Sequence, residues 1–163
     1  MVNTTYTKSQ IIDLLAGIPD PEIPVVSIQE MGMLRDVVIT EEGYDIIITP
    51  TYTGCPAMGR IEQDILGMME QHDIAPAKVT LTLDPAWSTD WMSDEAREKL
   101  RKYGIAPPLH SSCNKARFGD NVIHCPICNS EHTSMVSRFG STACKSLYRC
   151  NSCLESFEYF KCH

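Results

Sequence analysis

No stretch of this 163-residue sequence approaches the roughly 20 consecutive apolar residues that span a bilayer. Residues Met1 to Gln10 are polar where a secretory signal would need an apolar run, so the expected location is cytoplasmic, with no membrane partner. A basic excess is lacking too: 14 Lys and Arg stand against 21 Asp and Glu, for a formal charge of -7. Nucleic-acid binding draws on a basic surface for phosphate contacts, so no nucleic-acid partner is expected. Cysteine is nearly missing from the first two thirds, where Cys55 stands alone; the other seven follow residue 112. In a reducing compartment that placement argues against a disulfide framework and for thiolate metal ligation.

What is present is an ordinary globular composition, 43% hydrophobic and 21% charged, enough for one core of about 100 residues plus a small metal-stapled module. Charge is uneven: residues 1–103 carry 8 Lys or Arg against 17 Asp or Glu, and residues 104–163 carry 6 against 4. Thr7 and Gln10 form a capping-box pattern ahead of a helix with Ile11, Leu14, Leu15 and Ile18 on one face. Two strands follow, Leu34 to Thr40 and Tyr44 to Thr51, linked by Glu41-Glu42-Gly43 as an antiparallel hairpin. A second helix is predicted from Ala57 to Gln71, with Ile61, Ile65, Met68 and Met69 inward. Val79, Leu81 and Leu83 then alternate as the inward face of a third strand, and a last helix runs from about Ser93 to Tyr103. The order αββαβα predicts an α+β layer domain with a small mixed sheet over residues 1–104. Pro107-Pro108, Ser111-Ser112 and Gly119 mark 105–120 as a linker, and 121–163 as a small β-rich module.

That module carries the strongest motif. Cys125-Pro-Ile-Cys128 and Cys150-Asn-Ser-Cys153 are two CxxC knuckles, each able to place two sulfurs on one tetrahedral cation. The 21 residues between them accommodate a hairpin, with Met135 to Phe139 and Ser146 to Arg149 as its strands and the turn near Gly140. Four thiolates predict a closed, structural zinc site, a zinc ribbon; the same sulfurs would also accept iron. Cys113, Cys144 and Cys162 read either as free thiols or packing residues, or as a second thiolate site shared with Cys55.

Cys55 lies in Thr53-Gly54-Cys55-Pro56, between a strand and a helix, with Pro56 suited to the first helical turn. Backbone N–H groups and the helix dipole would favour its thiolate, as nucleophile or metal ligand. As a catalytic thiol it would need a base, and none of the five histidines has a recognisable spacing to it, so no catalytic residue is assigned. Asp20-Pro21-Glu22-Ile23-Pro24 is a proline-locked acidic loop, either a solvated turn or part of a site. Trp87 and Trp91 read as a core flap or an aromatic docking surface.

Asp20 to Val37 (DPEIPVVSIQEMGMLRDV) and Thr51 to Ala57 (TYTGCPA) resemble the iron–sulfur-assembly domain family of bacterial and eukaryotic targeting factors. The resemblance covers about residues 7–103. It implies the αββαβα fold and makes Cys55 the functional cysteine, with Asp20 and Glu22 in the accompanying acidic turn as cofactor-binding candidates. Leu83 to Pro108, CPIC, Phe139 to Cys153 and the ending FEYFKCH are similar to the D-subunit family of phenylacetyl-CoA epoxidase systems. This implies an accessory or maturation factor rather than an enzyme, with the epoxidase subunits as partners, the iron–sulfur reductase subunit foremost. It implies structural zinc at Cys125, Cys128, Cys150 and Cys153 and a transient iron–sulfur cluster at Cys55. One cysteine cannot fill a four-thiolate cluster, so the remaining ligands would come from a homodimer, a partner, other cysteines of the chain or glutathione. A non-catalytic docking or scaffold subunit is the alternative, and a thiol enzyme using Cys55 a further one.

Overall fold

The computed structural model describes residues 6–108 and 122–162. The chain divides into two compact units, residues 1–87 and 88–163. In the first, α1 (Lys8–Leu15) starts at the expected capping box: the Gln10 N–H donates to Thr7 Oγ1 at 3.3 Å, and the Thr7 N–H donates to Gln10 Oε1 at 2.8 Å. A long loop then leads to β1 (Leu34–Thr40) and β2 (Gly43–Ile48), an antiparallel hairpin turning at Glu41-Glu42. Gly43 has φ +144°, and a Cβ there would meet the Pro76 carbonyl oxygen at 2.1 Å, so no other residue fits.

Helix α2 (Met58–Gln71) crosses over to β3 (Ala77–Leu81), which pairs parallel with β2 in the sheet order β1-β2-β3. The helix ends in a Schellman turn. Asp73 sits at φ 55°, its N–H donating to Glu70 O, and the Ile74 N–H reaches Met69 O. Ile11, Leu15, Ile46, Ile48, Ile61, Ile65 and Met69 are all fully buried, so helices and mixed sheet share one core, as the periodicity predicts. Trp87 belongs to this core, its indole N–H donating to Met31 O at 2.8 Å.

The third strand departs from expectation. It ends at Leu81, and Leu81 and Leu83 are 52% and 54% exposed rather than inward. Alternation reports which side of a strand a residue occupies, not whether another element reaches far enough to cover it, and β3 is a sheet edge.

The second unit holds a short 3-10 turn (Thr89–Trp91), α3 (Asp94–Lys102) capped by Ser93, and a four-stranded sheet of order β4-β7-β6-β5. Its strands are β4 (Ile105–Ala106), β5 (Thr133–Ser137), β6 (Lys145–Cys150) and β7 (Ser156–Phe160). The predicted hairpin is β5 and β6; β4 and β7 are additions. Ile105 and Ala106, read as the start of a linker because two prolines follow, instead pair parallel with Glu158 and Tyr159. The second unit thus begins ahead of the expected boundary at 104, and most of the expected linker lies outside the described residues.

Buried Arg97 ties this unit internally, its guanidinium donating to Thr89 O and to Pro108 O. At the β5–β6 loop, Lys145 is 3% exposed and pairs with Glu158 at 2.8 Å while donating to Ser141 Oγ at 2.7 Å. The Ser141 N–H donates to the other Glu158 oxygen, so an ion pair between buried Lys145 and half-buried Glu158 pins the loop to β7.

Candidate functional site

The two CxxC knuckles fold alike. The Cys125 N–H donates to Ser130 O and the Cys150 N–H to Glu155 O, each at 2.9 Å, and the residue after each second cysteine is left-handed, Asn129 at φ 60° and Leu154 at φ 67°. Ser130 Oγ and Ser152 Oγ, 2.7 Å apart, join the knuckles, and the Asn151 N–H donates to His132 O. Asparagine tolerates the left-handed region, whereas leucine is disfavoured there. Leu154 is 63% exposed, so little packing offsets that cost. Leu154→Gly is expected to stabilise the metal-loaded protein by about 1 kcal/mol, read as a higher urea midpoint.

The four sulfurs converge. All lie within 4.8 Å of one another, with Cys125 to Cys153 at 3.8 Å and Cys128 to Cys150 at 3.5 Å. Zinc–sulfur bonds of about 2.3 Å put tetrahedral sulfurs about 3.8 Å apart, so this donor set fits a tetrathiolate cation. Cys125 and Cys150 are buried, Cys153 is half-buried and Cys128 is exposed.

Without a cation, Cys150 and Cys153 are shifted in opposite directions. The Cys153 N–H, 3.4 Å from Cys150 Sγ, foremost lowers the Cys150 thiol to about 6. Against a lowering hydrogen bond from the Glu155 N–H, burial and the neighbouring sulfurs push Cys153 up to about 12. Four thiolates at this spacing repel, and a dication would relieve that. The surrounding apolar core is small, formed by Ala106, Ile123, Cys125, Cys150, Phe157 and Tyr159, with Tyr148 stacked on Phe157 at 5.9 Å. Metal ligation fits a unit with so little apolar surface.

Cys55 sits in a different setting. Gly54 has φ +83°, which turns the chain so that the Cys55 N–H donates to Tyr52 O at 3.2 Å and the Cys55 carbonyl accepts from the Met58 N–H at 3.4 Å. The helix starts at Met58, three residues after Cys55, so the cysteine precedes the first turn instead of occupying it; Ala57 is the N-cap and supplies no side-chain bond. Cys55 is half-buried and lines an open depression of about 270 Å³ together with Pro50, Thr53, Gly54, Met58, Leu81 and Leu83. No charged residue and no histidine lines it.

Asp20 is buried, and its Oδ1 accepts from the Glu22 and Ile23 N–H groups at 2.8 Å each, while its own N–H donates to Val26 O. That geometry makes Asp20 the organiser of the acidic turn. Glu22 is half-buried beside it. Among the described residues the four ribbon cysteines are the one group of three or more Cys, His, Asp or Glu within metal-holding reach; Cys55, Asp20 and Glu22 are not brought into such a group. Cys144 is buried with Thr142 Oγ1 at 3.0 Å from its sulfur, Cys162 is disulfide-bonded, and Cys113 lies outside the described residues. Sequence reasoning misses the apolar wall around Cys55. Its one signal is the Val79-Leu81-Leu83 alternation, which reads as a core face.

An α+β unit with a lone cysteine at a strand-to-helix loop, followed by a four-cysteine β ribbon, defines a class of metal-handling two-module proteins. Residues 8–72 match the family model described as iron–sulfur cluster assembly protein, and residues 110–161 match the PaaD zinc beta ribbon domain. A protein of Escherichia coli (strain K12), provisionally named as the D component of 1,2-phenylacetyl-CoA epoxidase, is 54% identical over 149 residues, which is 91% of this chain and 89% of that one. The chain belongs to this PaaD family of epoxidase components. A Porphyromonas gingivalis (strain ATCC BAA-308 / W83) protein named Fe-S protein maturation auxiliary factor is 32% identical over 96 residues, 58% of this chain and 90% of that one. A crystal structure of a domain of unknown function from Bacillus anthracis is 28% identical with a TM-score of 0.53, covering 57% of this chain and 90% of that chain.

Proposed function

We propose that this chain is a maturation factor, not an enzyme, for a phenylacetyl-CoA epoxidase, in which Cys55 transiently ligates an iron–sulfur cluster and passes it to the iron–sulfur reductase subunit. The observation that carries the reading is Cys55 itself, half-exposed on a glycine-shaped loop in an uncharged depression, within a module that matches iron–sulfur cluster assembly proteins. Low polarity around the thiolate would shield a bound cluster from water. Asp20 holds the acidic turn in shape, Glu22 is half-buried within it, and both are proposed to assist cofactor binding. Cys125, Cys128, Cys150 and Cys153 would hold zinc, which supplies cohesion to the ribbon and no chemistry. The absence, among the described residues, of a helix long and apolar enough to cross a membrane accords with a cytoplasmic site of action.

The test is anaerobic iron–sulfur reconstitution of wild type and Cys55→Ser, reading iron, acid-labile sulfide, zinc and visible absorption. The expected result is one zinc per chain in both proteins and cluster absorption that falls at least about fivefold in Cys55→Ser. Equal loading of the two proteins defeats the carrier role. A docking or scaffold role is the second reading, favoured by the fact that, among the described residues, Cys55 is not brought into a group of three or more Cys, His, Asp or Glu within metal-holding reach. One zinc and no cluster in either protein selects it.

A further inference from the structure

At the end of β6 away from Cys150 stands a pair of cysteines that the four-sulfur cluster does not use. Cys144 lies six positions before Cys150, about 20 Å along an extended strand, too far to serve that cluster. Its sulfur is a thiol and the residue is 4% exposed, whereas Cys162 is half-buried and disulfide-bonded. The two are neighbours across the β6–β7 ladder. Lys145 pairs with Phe160, and the Lys161 N–H donates to Cys144 O at 3.0 Å, which sets Cys144 opposite Lys161 and one residue from Cys162. Opposed antiparallel residues have Cα atoms about 4.5–5.5 Å apart and a disulfide spans about 4.4–6.8 Å, so the pair lies near bridging range. Residues two apart share a face, which puts Cys144 with Ser146 on the side of its partner Tyr159. Cys162 Sγ is on that side too, 3.5 Å from Tyr159 Oη. Thr142 Oγ1 is 3.0 Å from Cys144 Sγ, and the Lys161 ammonium donates to Ala143 O at 2.8 Å, so a hydroxyl and a cation stand close to that thiol.

We propose that Cys144 and Cys162 form a reversible redox site whose co-reactants are small monothiols and disulfides of the glutathione class. Cys162, the more exposed sulfur, meets the small molecule, and the shielded Cys144 thiol resolves the bond made there. The reduced Cys162 thiolate attacks a small disulfide, forming a mixed disulfide at Cys162 and releasing one small thiol. The Cys144 thiolate then attacks Cys162 Sγ; the Cys144–Cys162 bond forms and the second small thiol leaves with the proton that Cys144 gave up. Two protein thiols are oxidised and one small disulfide is reduced, and two small thiols run the same steps backwards. Starting instead from the disulfide that Cys162 holds, attack by Cys144 exchanges one S–S bond for another and displaces the former partner sulfur as a thiol, with no net oxidation. That the bond is one that opens in the cell rests on the cytoplasmic reading above, because disulfides of a reducing compartment are mostly transient or redox-sensing. The exchange itself does not rest on it.

The experiment takes the full-length, zinc-loaded chain, reduced and then freed of reductant under argon, and mixes it with oxidised glutathione at neutral pH. Samples are quenched in acid, alkylated, digested without reduction and mapped by mass spectrometry, with zinc measured in parallel. In wild type a glutathione adduct on Cys162 is expected first and a Cys144–Cys162 linked peptide after it, with zinc unchanged. In Cys144→Ser the adduct should decay at least about threefold more slowly, because the neighbouring thiol that makes the second step intramolecular is gone. Absence of the linked peptide from wild type at every time overturns the proposal. So does equal decay of the adduct in the folded variant, or oxidation confined to Cys125, Cys128, Cys150 and Cys153 with loss of zinc. If Cys144→Ser loses the wild-type circular dichroism, the wild-type map decides alone. The map of Cys55→Ser is expected to match wild type, so failure of the cluster-carrier reading and failure of this site are told apart.

Discussion

Stripping the ribbon metal with a strong chelator at neutral pH is expected to unfold residues 122–162 and leave the first unit folded. Amide resonances of β5, β6 and β7 should collapse to random-coil positions while those of β1, β2 and α2 hold. The basis is the imbalance between the small apolar cluster around the four sulfurs and the entropy of ordering the strands around it. Structural zinc contributes about 10–16 kcal/mol at neutral pH, comparable to the whole stability of a typical small domain. Cys150→Ala should have the same effect without chelator, because Cys150 belongs to the four-sulfur cluster and is fully buried at the end of β6. Acid should act in the same direction, since protons compete with the metal for the thiolates. A chelated protein that keeps its β6–β7 resonances would show that side-chain packing alone holds the ribbon.

The second large effect is expected at Lys145 and Glu158. Glu158→Gln leaves the Lys145 ammonium, 3% exposed, without its counter-charge, and should destabilise the protein by about 3 kcal/mol in urea unfolding. Lys145→Met with Glu158→Leu removes both charges and should cost much less than Glu158→Gln alone. Burial tends to raise the Glu158 carboxyl, but the Lys145 ammonium and the Ser141 N–H outweigh it, so its folded pKa lies below the ordinary value. The sign follows from that direction. Its contribution is complete above the unfolded carboxyl range near 4.5 and is lost as pH falls through the lower folded value. The wild-type advantage over Glu158→Gln should therefore shrink below about pH 4.5 and persist at neutral pH, which urea midpoints across pH would show.

Much of the fold is written in contiguous residues. The Thr7/Gln10 capping box, the helical spacing of Ile61, Ile65 and Met69, and the tight turn at Glu41-Glu42 depend on neighbours within a few positions, and the two helices and the hairpin are all present in the structure. The four-cysteine cluster is legible for the same reason, because two residues between cysteines bend each pair onto one centre. Helix α2 starts later than its pattern suggests because the Cys55-to-Met58 turn precedes the first helical residue. Strand β4 is hidden by Pro107-Pro108, and its partner β7 lies more than 50 residues away.

By itself the sequence determined the order α1-β1-β2-α2-β3-α3, the four-cysteine cluster and the uneven charge, all of which follow from local spacing and composition. Tertiary structure alone decided that Leu81 and Leu83 stand exposed beside Cys55 and that Lys145 is buried against Glu158. Exposure at a sheet edge, the partner of a buried charge and the walls of a depression depend on which distant segments cover a residue. No local period carries that information.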